Sequence, residues 1–143
     1  MVMLVVDTNI LKLATPTKTD FDSRATELLM RIVNVDHCIA VDYEGKIVER
    51  EYKKHMKRNW MLIAWWTQIR LRNKIKYRSG QGAQICDLKE MDNCFACVTL
   101  RTPDKILITE DKRHFNAKVK KALARKGAKT LHLLDGYTLV CRA

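Results

Sequence analysis

The chain has 143 residues, 47% hydrophobic and 30% charged, with a formal net charge of +11 at neutral pH. That length suits one domain with a sizeable core. No apolar run approaches the roughly 20 residues a membrane-spanning helix needs, and the start lacks the pattern of a secretory signal, so a cytoplasmic location is expected. The excess positive charge points to a polyanionic partner.

Met3–Val6 is a short aliphatic run without alternation, the pattern of a strand covered on both faces of a parallel sheet. It delivers Asp7 into Thr8 and Asn9, both turn and helix-cap formers. Residues 20–34 place Phe21, Ala25, Leu28, Leu29, Ile32 and Val33 at helical spacing, with Asp20 or Asp22 as cap. Cys38–Val41 predicts a second strand, Asp42-Tyr43-Glu44-Gly45 a loop, and the residues from about Lys46 a helix carrying Glu49 and Glu51. Those two acids stand about 200° apart around a helix and cannot share a face.

Trp60-Met61-Leu62-Ile63-Ala64-Trp65-Trp66 is apolar on every side of a helix. Core filling is the plainer account of any single tryptophan, a subunit interface serves comparably for the whole block, and base stacking by a tryptophan ranks third. Residues 70–78 alternate charge and bulk: extended, they put five cations on one face; helical, they scatter them. Ala83–Cys86 predicts a third strand, and Asp92 opens the next helix. Cys94 and Cys97, three residues apart on that helix, fit core thiols better than zinc ligands. Lys105–Thr109 predicts a fourth strand followed by Glu110 and Asp111. Ala117–Lys126 predicts a helix closed by Gly127, and Lys129–Leu133 a fifth strand. Alternation of this kind predicts an α/β fold, a central parallel sheet of about five strands flanked by helices.

In such a sheet Asp7, Glu51, Asp92 and Asp111 gather at one end, where open α/β sheets place ligands. Each also has an ordinary explanation: Asp7, Asp92 and Asp111 as helix caps, Glu51 as a solvated surface acid. Clustered carboxylates repel unless a cation neutralises them, and hard oxygen ligands favour Mg²⁺ or Mn²⁺.

Asp7-Thr8-Asn9, Glu51-Tyr52, Asp92-x-x-Phe95 and Thr109-Glu110-Asp111 together resemble the PIN-domain nuclease family, over roughly residues 2 to 135. The resemblance implies one PIN-like domain over residues 1–143. It implies Mg²⁺ or Mn²⁺ bound at Asp7, Glu51, Asp92 and Asp111 as catalytic residues, with Asn9 and Thr109 orienting them. The implied activity is metal-dependent endoribonuclease hydrolysis of RNA, by water without a covalent enzyme intermediate. Glu51 is preferred to Glu49 because the Glu51-Tyr52 pair matches the family pattern better, Glu110 is an understudy to Asp111, and Asp87 fits less well than Asp92. Glu49 against Glu51 and one ion or two stay open. The family offers two settings, a VapC-like toxin held by an antitoxin or a stand-alone RNA-processing nuclease. The long basic segment after Glu51 departs from compact toxins. A catalytically inactive nucleic-acid-binding module and a structure-specific DNA nuclease are the alternatives.

The cations follow the acids. Lys53, Lys54, Lys57, Arg58, Arg70, Arg72, Lys74, Lys76 and Arg78 form a stretch without one acid, and Lys112 and Arg113 follow Asp111. All are expected to hold RNA phosphates with salt-sensitive affinity; a solvated basic face is the plain alternative. A homodimer through Trp60, Trp65 or Trp66 is also expected. His55 and His114 lie near the acids in sequence, but a lone histidine is more often structural, and neither enters the expected catalytic set.

Overall fold

A computed structural model describes residues 1–141. Five parallel strands form one sheet: β1 (Val2–Val6), β2 (His37–Asp42), β3 (Ile75–Arg78), β4 (Ile106–Ile108) and β5 (Lys129–Leu131), in the order β3-β2-β1-β4-β5. Seven helices connect or flank them: α1 (Thr8–Leu13), α2 (Ser23–Asn34), α3 (Ile47–Met56), α4 (Trp60–Leu71), α5 (Glu90–Leu100), α6 (Ala117–Arg125) and α7 (Leu133–Cys141). The α/β architecture read from the pattern is the one observed.

Central strands carry the most apolar runs because helices cover both of their faces. Every residue of β2 is buried, as are the last four of β1. Register sets Leu4 beside Ile39 and Val6 beside Ile108, so β1 and β4 end level with each other. The chain runs outward from β1 through β2 to β3, then returns to the other side of β1 for β4. The strand order therefore reverses between β1 and β4, where open α/β sheets leave a crevice outside the strand ends.

Local signals explain the helix limits. Asp22 caps α2 by accepting from the Arg24 amide at 3.0 Å, whereas Phe21 precedes the helix and is exposed rather than packed on its apolar face. Gly127, with φ of 86°, ends the turn after α6 in a backbone region open to glycine. Gly136 lets α7 lie against β4, since a Cβ there would meet the Ile108 side chain at 2.9 Å.

Three expectations change. Residues 83–86 form no strand; Ile85 instead hydrogen-bonds through its amide to Asn93 Oδ1 at 2.8 Å. The third strand is Ile75–Arg78, a short edge strand whose alternate charged residues suit its exposed position. Arg70 accordingly belongs to α4 and Lys76 and Arg78 to β3, so the five charges of residues 70–78 share no single face. The fifth strand stops at Leu131, and α7 begins at Leu133.

The apolar block Trp60–Trp66 is divided: Leu62, Trp65 and Trp66 are core, whereas Trp60, Ile63 and Ala64 are exposed. Trp65 is 0% exposed and Trp66 5%, and both meet Tyr52 edge-on, with ring centroids 6.0 and 5.9 Å away. Phe95 of α5 joins at 6.3 Å. Trp60 stands apart at 79% exposed. Of the three tryptophans expected in or beside a dimer interface, Trp65 and Trp66 thus belong to the core, while Trp60 and Ile63 keep apolar surface exposed. Cys94 and Cys97 are buried free thiols on α5.

Candidate metal centre

Asp7 leaves the end of β1 at the crevice. Its amide donates to the Ile108 carbonyl at 2.9 Å, and its carboxylate takes two further donors: the Thr8 amide at 2.7 Å on Oδ1 and the Thr109 hydroxyl at 2.7 Å on Oδ2. Asp7 thus caps α1 and faces β4 at once. Thr109 in turn accepts from Asn9 Nδ2 at 3.2 Å and from the Asp111 amide at 3.0 Å, which uses its hydroxyl fully as one donor and two acceptors. Asn9 Oδ1 accepts from the Glu110 amide at 3.2 Å. Asn9 and Thr109 therefore tie the ends of β1 and β4 together.

Asp92 lies in the first turn of α5, but the cap position is Lys89, so helix capping does not explain it. Asp111 caps no helix either. Asn116 caps α6, while Asp111 Oδ1 closes a turn by accepting from the Arg113 and His114 amides at 3.0 and 2.9 Å. That turn swings His114 back over the acids. Its Nδ1 lies 2.7 Å from Asp111 Oδ2 and 3.7 Å from Asp92 Oδ2. One ligand atom from each of Asp92, Asp111 and His114 falls within 4.8 Å of the others.

The negative charges act on one another. Burial, with Asp92 and Asp111 adding to it against hydrogen bonds from Thr109 and Thr8, pushes the Asp7 carboxyl from 3.8 up to about 6. Burial also raises Asp92, aided by Asp111 and Glu51 and opposed by His114. Asp111 is partly desolvated, yet the bonds from His114 outweigh this and hold it low, while the hydrogen bond to Asp111 raises His114. Asp7 is 3% exposed and has no salt-bridge partner among the described residues.

Glu51 stands on α3, outside the group of ligand atoms that lie within 4.8 Å of one another. Tyr52, next to it, donates its phenol to the Val6 carbonyl from a fully buried position, pinning α3 against the end of β1. Buried Asp42 starts the same helix by accepting from the Ile47 and Val48 amides at 2.9 and 2.8 Å. Glu51 pairs with Lys54 at 2.6 Å, and its charge bears on Asp92; Glu49 points instead to Lys53 at 3.7 Å. Glu110 is directed away, accepting from the Leu133 amide at the start of α7, with His132 3.9 Å from its carboxylate.

The cations divide. Lys53 and Lys54 are exposed on α3, Lys57 and Arg58 in the turn after it, and Lys112 and Arg113 directly after Asp111. Arg72 and Lys74 lie at the far end of β2 and β3. Arg72 donates to the Val33 carbonyl at 3.3 Å, and Lys74 donates to Ile32 O at 2.8 Å and to Val35 O. They satisfy the last carbonyls of α2; they do not flank the acids. His114 is the site residue that sequence reasoning left out, and its only signal was the Asp111-x-x-His114 spacing across one turn.

Comparison of the chain with protein-family models, curated proteins and solved structures gives no match.

Proposed function

We propose that the crevice is a divalent-metal site and that the protein is a metal-dependent endoribonuclease of PIN-like design. One observation carries this reading: a carboxylate buried to 3% exposure, Asp7, stands beside further acids without a cationic partner among the described residues. Such burial is costly unless a cation compensates it. Asp7, Asp92 and Asp111 would hold Mg²⁺ or Mn²⁺, with Glu51 at the outer side. When bound, the ion supplies the positive charge that polarises a phosphoryl group and an attacking water. The chain's own residues do the rest. Thr109 and Asn9 fix the Asp7 carboxylate, His114 orients Asp111 and holds a proton at Nδ1, and Lys112 and Arg113 draw phosphate toward the acids.

His114 also favours a second reading. Protonated, its imidazole would itself be a cation between Asp92 and Asp111, which suits a nucleic-acid-binding module whose acids are structural. Calorimetry with Mn²⁺ and Mg²⁺, followed by labelled RNA with and without EDTA, separates the two. EDTA-sensitive cutting is expected, lost in Asp7→Asn. Cutting by Asp7→Asn at the wild-type rate would sink the assignment, and preference for single-stranded DNA of equal length would move the substrate class.

A further inference from the structure

Beside the acids, between the end of α1 and the turn joining α3 to α4, lies a cleft of about 520 Å³, within the size range of small-ligand sites. Lys12, Lys18, Lys54, Lys57 and Arg58 line it, and no acid does. Of these five only Lys54 has a carboxylate partner among the described residues, and that partner is Glu51. The cleft wall therefore adjoins the outermost acid. The clustered charge is felt by His55 in the same wall, whose imidazole is lowered by burial and by Lys12, Lys18 and Lys54.

Trp60, the first residue of α4, completes the lining and is 79% exposed, unlike its two buried neighbours in the block. An aromatic ring left in solvent contributes nothing to the core, and the turn presenting it is firmly held. Arg58 takes a left-handed backbone with φ of 59°, which a bulky residue adopts only under constraint. Asn59 caps α4 through the Leu62 amide at 3.2 Å and donates to Thr15 Oγ1 at 3.1 Å, clamping the turn to the end of α1.

We infer that this cleft binds single-stranded RNA, one unpaired base stacking on Trp60 while the flanking phosphates lie on Lys12, Lys18, Lys57 and Arg58. The inference rests on the nuclease reading for its choice of nucleic acid and extends it to a substrate class. Cations alone would accept any polyanion. An indole face in the same cleft selects a ligand that alternates charge with flat rings, and only an unpaired strand offers free base faces. An acidic peptide would satisfy the lysines and leave Trp60 bare.

The test is a fluorescence titration in EDTA with a short oligouridylate, in which the exposed Trp60 dominates the part of the emission that acrylamide can quench. The oligonucleotide is expected to quench and shield that component. Trp60→Ala should weaken binding roughly tenfold or more, and Trp60→Phe should recover most of it. Lys12→Glu with Lys18→Glu should flatten the slope of log affinity against log salt by roughly one. Wild-type affinity in Trp60→Ala, or an unchanged slope in the lysine pair, overturns the inference. Equal shielding of Trp60 by duplex RNA also overturns it, and equal shielding by polyglutamate would make the cleft a protein-docking surface. The two readings fail separately. Base-dependent binding without Mn²⁺-dependent cutting removes the nuclease alone; cutting with affinity indifferent to Trp60 removes the cleft alone.

Discussion

An ionised carboxylate that gains no cation on burial raises the free energy of the folded state, and Asp7 is in that position. Its carboxyl shifts from 3.8 unfolded to about 6 folded. Between those values the folded protein binds the extra proton, so stability falls as pH rises through the interval and stays reduced above it. Two units correspond to about 3 kcal/mol. Asp7→Asn removes this cost but forfeits the bond from Thr109, worth about 1 kcal/mol. The variant is therefore expected to be more stable than wild type by about 2 kcal/mol at pH 7 in EDTA, with the gain gone below about pH 4. Thermal unfolding at the two pH values reads this directly. Destabilisation at pH 7 would make Asp7 a structural cap. Mg²⁺ should stabilise the wild type and not the variant. His114 has the opposite sign. Its hydrogen bond to Asp111 raises it, so its contribution is complete below 6.5 and fades as pH rises through the higher folded value. Proton NMR should show His114 titrating above 6.5 and moving down when Mg²⁺ binds; a value indifferent to Mg²⁺ would place the ion elsewhere.

At the scale of elements, α3 connects stability to the site. Tyr52→Phe keeps the ring among Trp65, Trp66 and Phe95 but deletes the phenol that holds the Val6 carbonyl. A cost of about 1 kcal/mol is expected, together with a larger loss of metal affinity, because Glu51 is carried by the same turn of helix. Equal metal affinity in the two proteins would detach Glu51 from the site. Trp65→Glu is expected to unfold the protein, since an unpaired charge would enter a fully buried position. Most elements were legible because their burial is one-sided or complete: β1 and β2 as unbroken aliphatic runs, α2 and α6 as periodic faces with Asp22 and Gly127 at their ends. β3 stayed open between strand and helix because its alternation of Ile75 and Tyr77 with Lys76 and Arg78 continues a run of charges that begins on α4. Asp7, Asp92 and Asp111 were legible as carboxylates at or near element ends, and Glu51 as an acid on the helix after the second strand. His114 was not, because one histidine in a turn carries no periodic signal; only the fold of the Asp111 turn brings it to Asp92.

Across the whole molecule, topology separates two populations of positive charge. The reversal of strand order between β1 and β4 opens the crevice at the carboxyl ends of the strands, and Lys112 and Arg113 follow Asp111 at that edge. Arg72 and Lys74 sit at the opposite edge with their side chains on the carbonyls that end α2. A net charge of +11 is thus a poor guide to where phosphate binds. Lys112→Glu with Arg113→Glu should weaken RNA binding across all sequences and flatten its salt slope, with little change in unfolding, because both side chains are exposed and unpaired among the described residues. Arg72→Glu with Lys74→Glu should do the reverse. It removes the donors at the helix end and sets carboxylates against carbonyls, lowering stability by about 1 to 3 kcal/mol while leaving the salt slope of the folded protein unchanged. Paired measurement of unfolding and of salt-dependent RNA binding decides the matter. Should the Arg72 and Lys74 pair flatten the slope instead, the phosphate path crosses the amino edge of the sheet, away from Asp7.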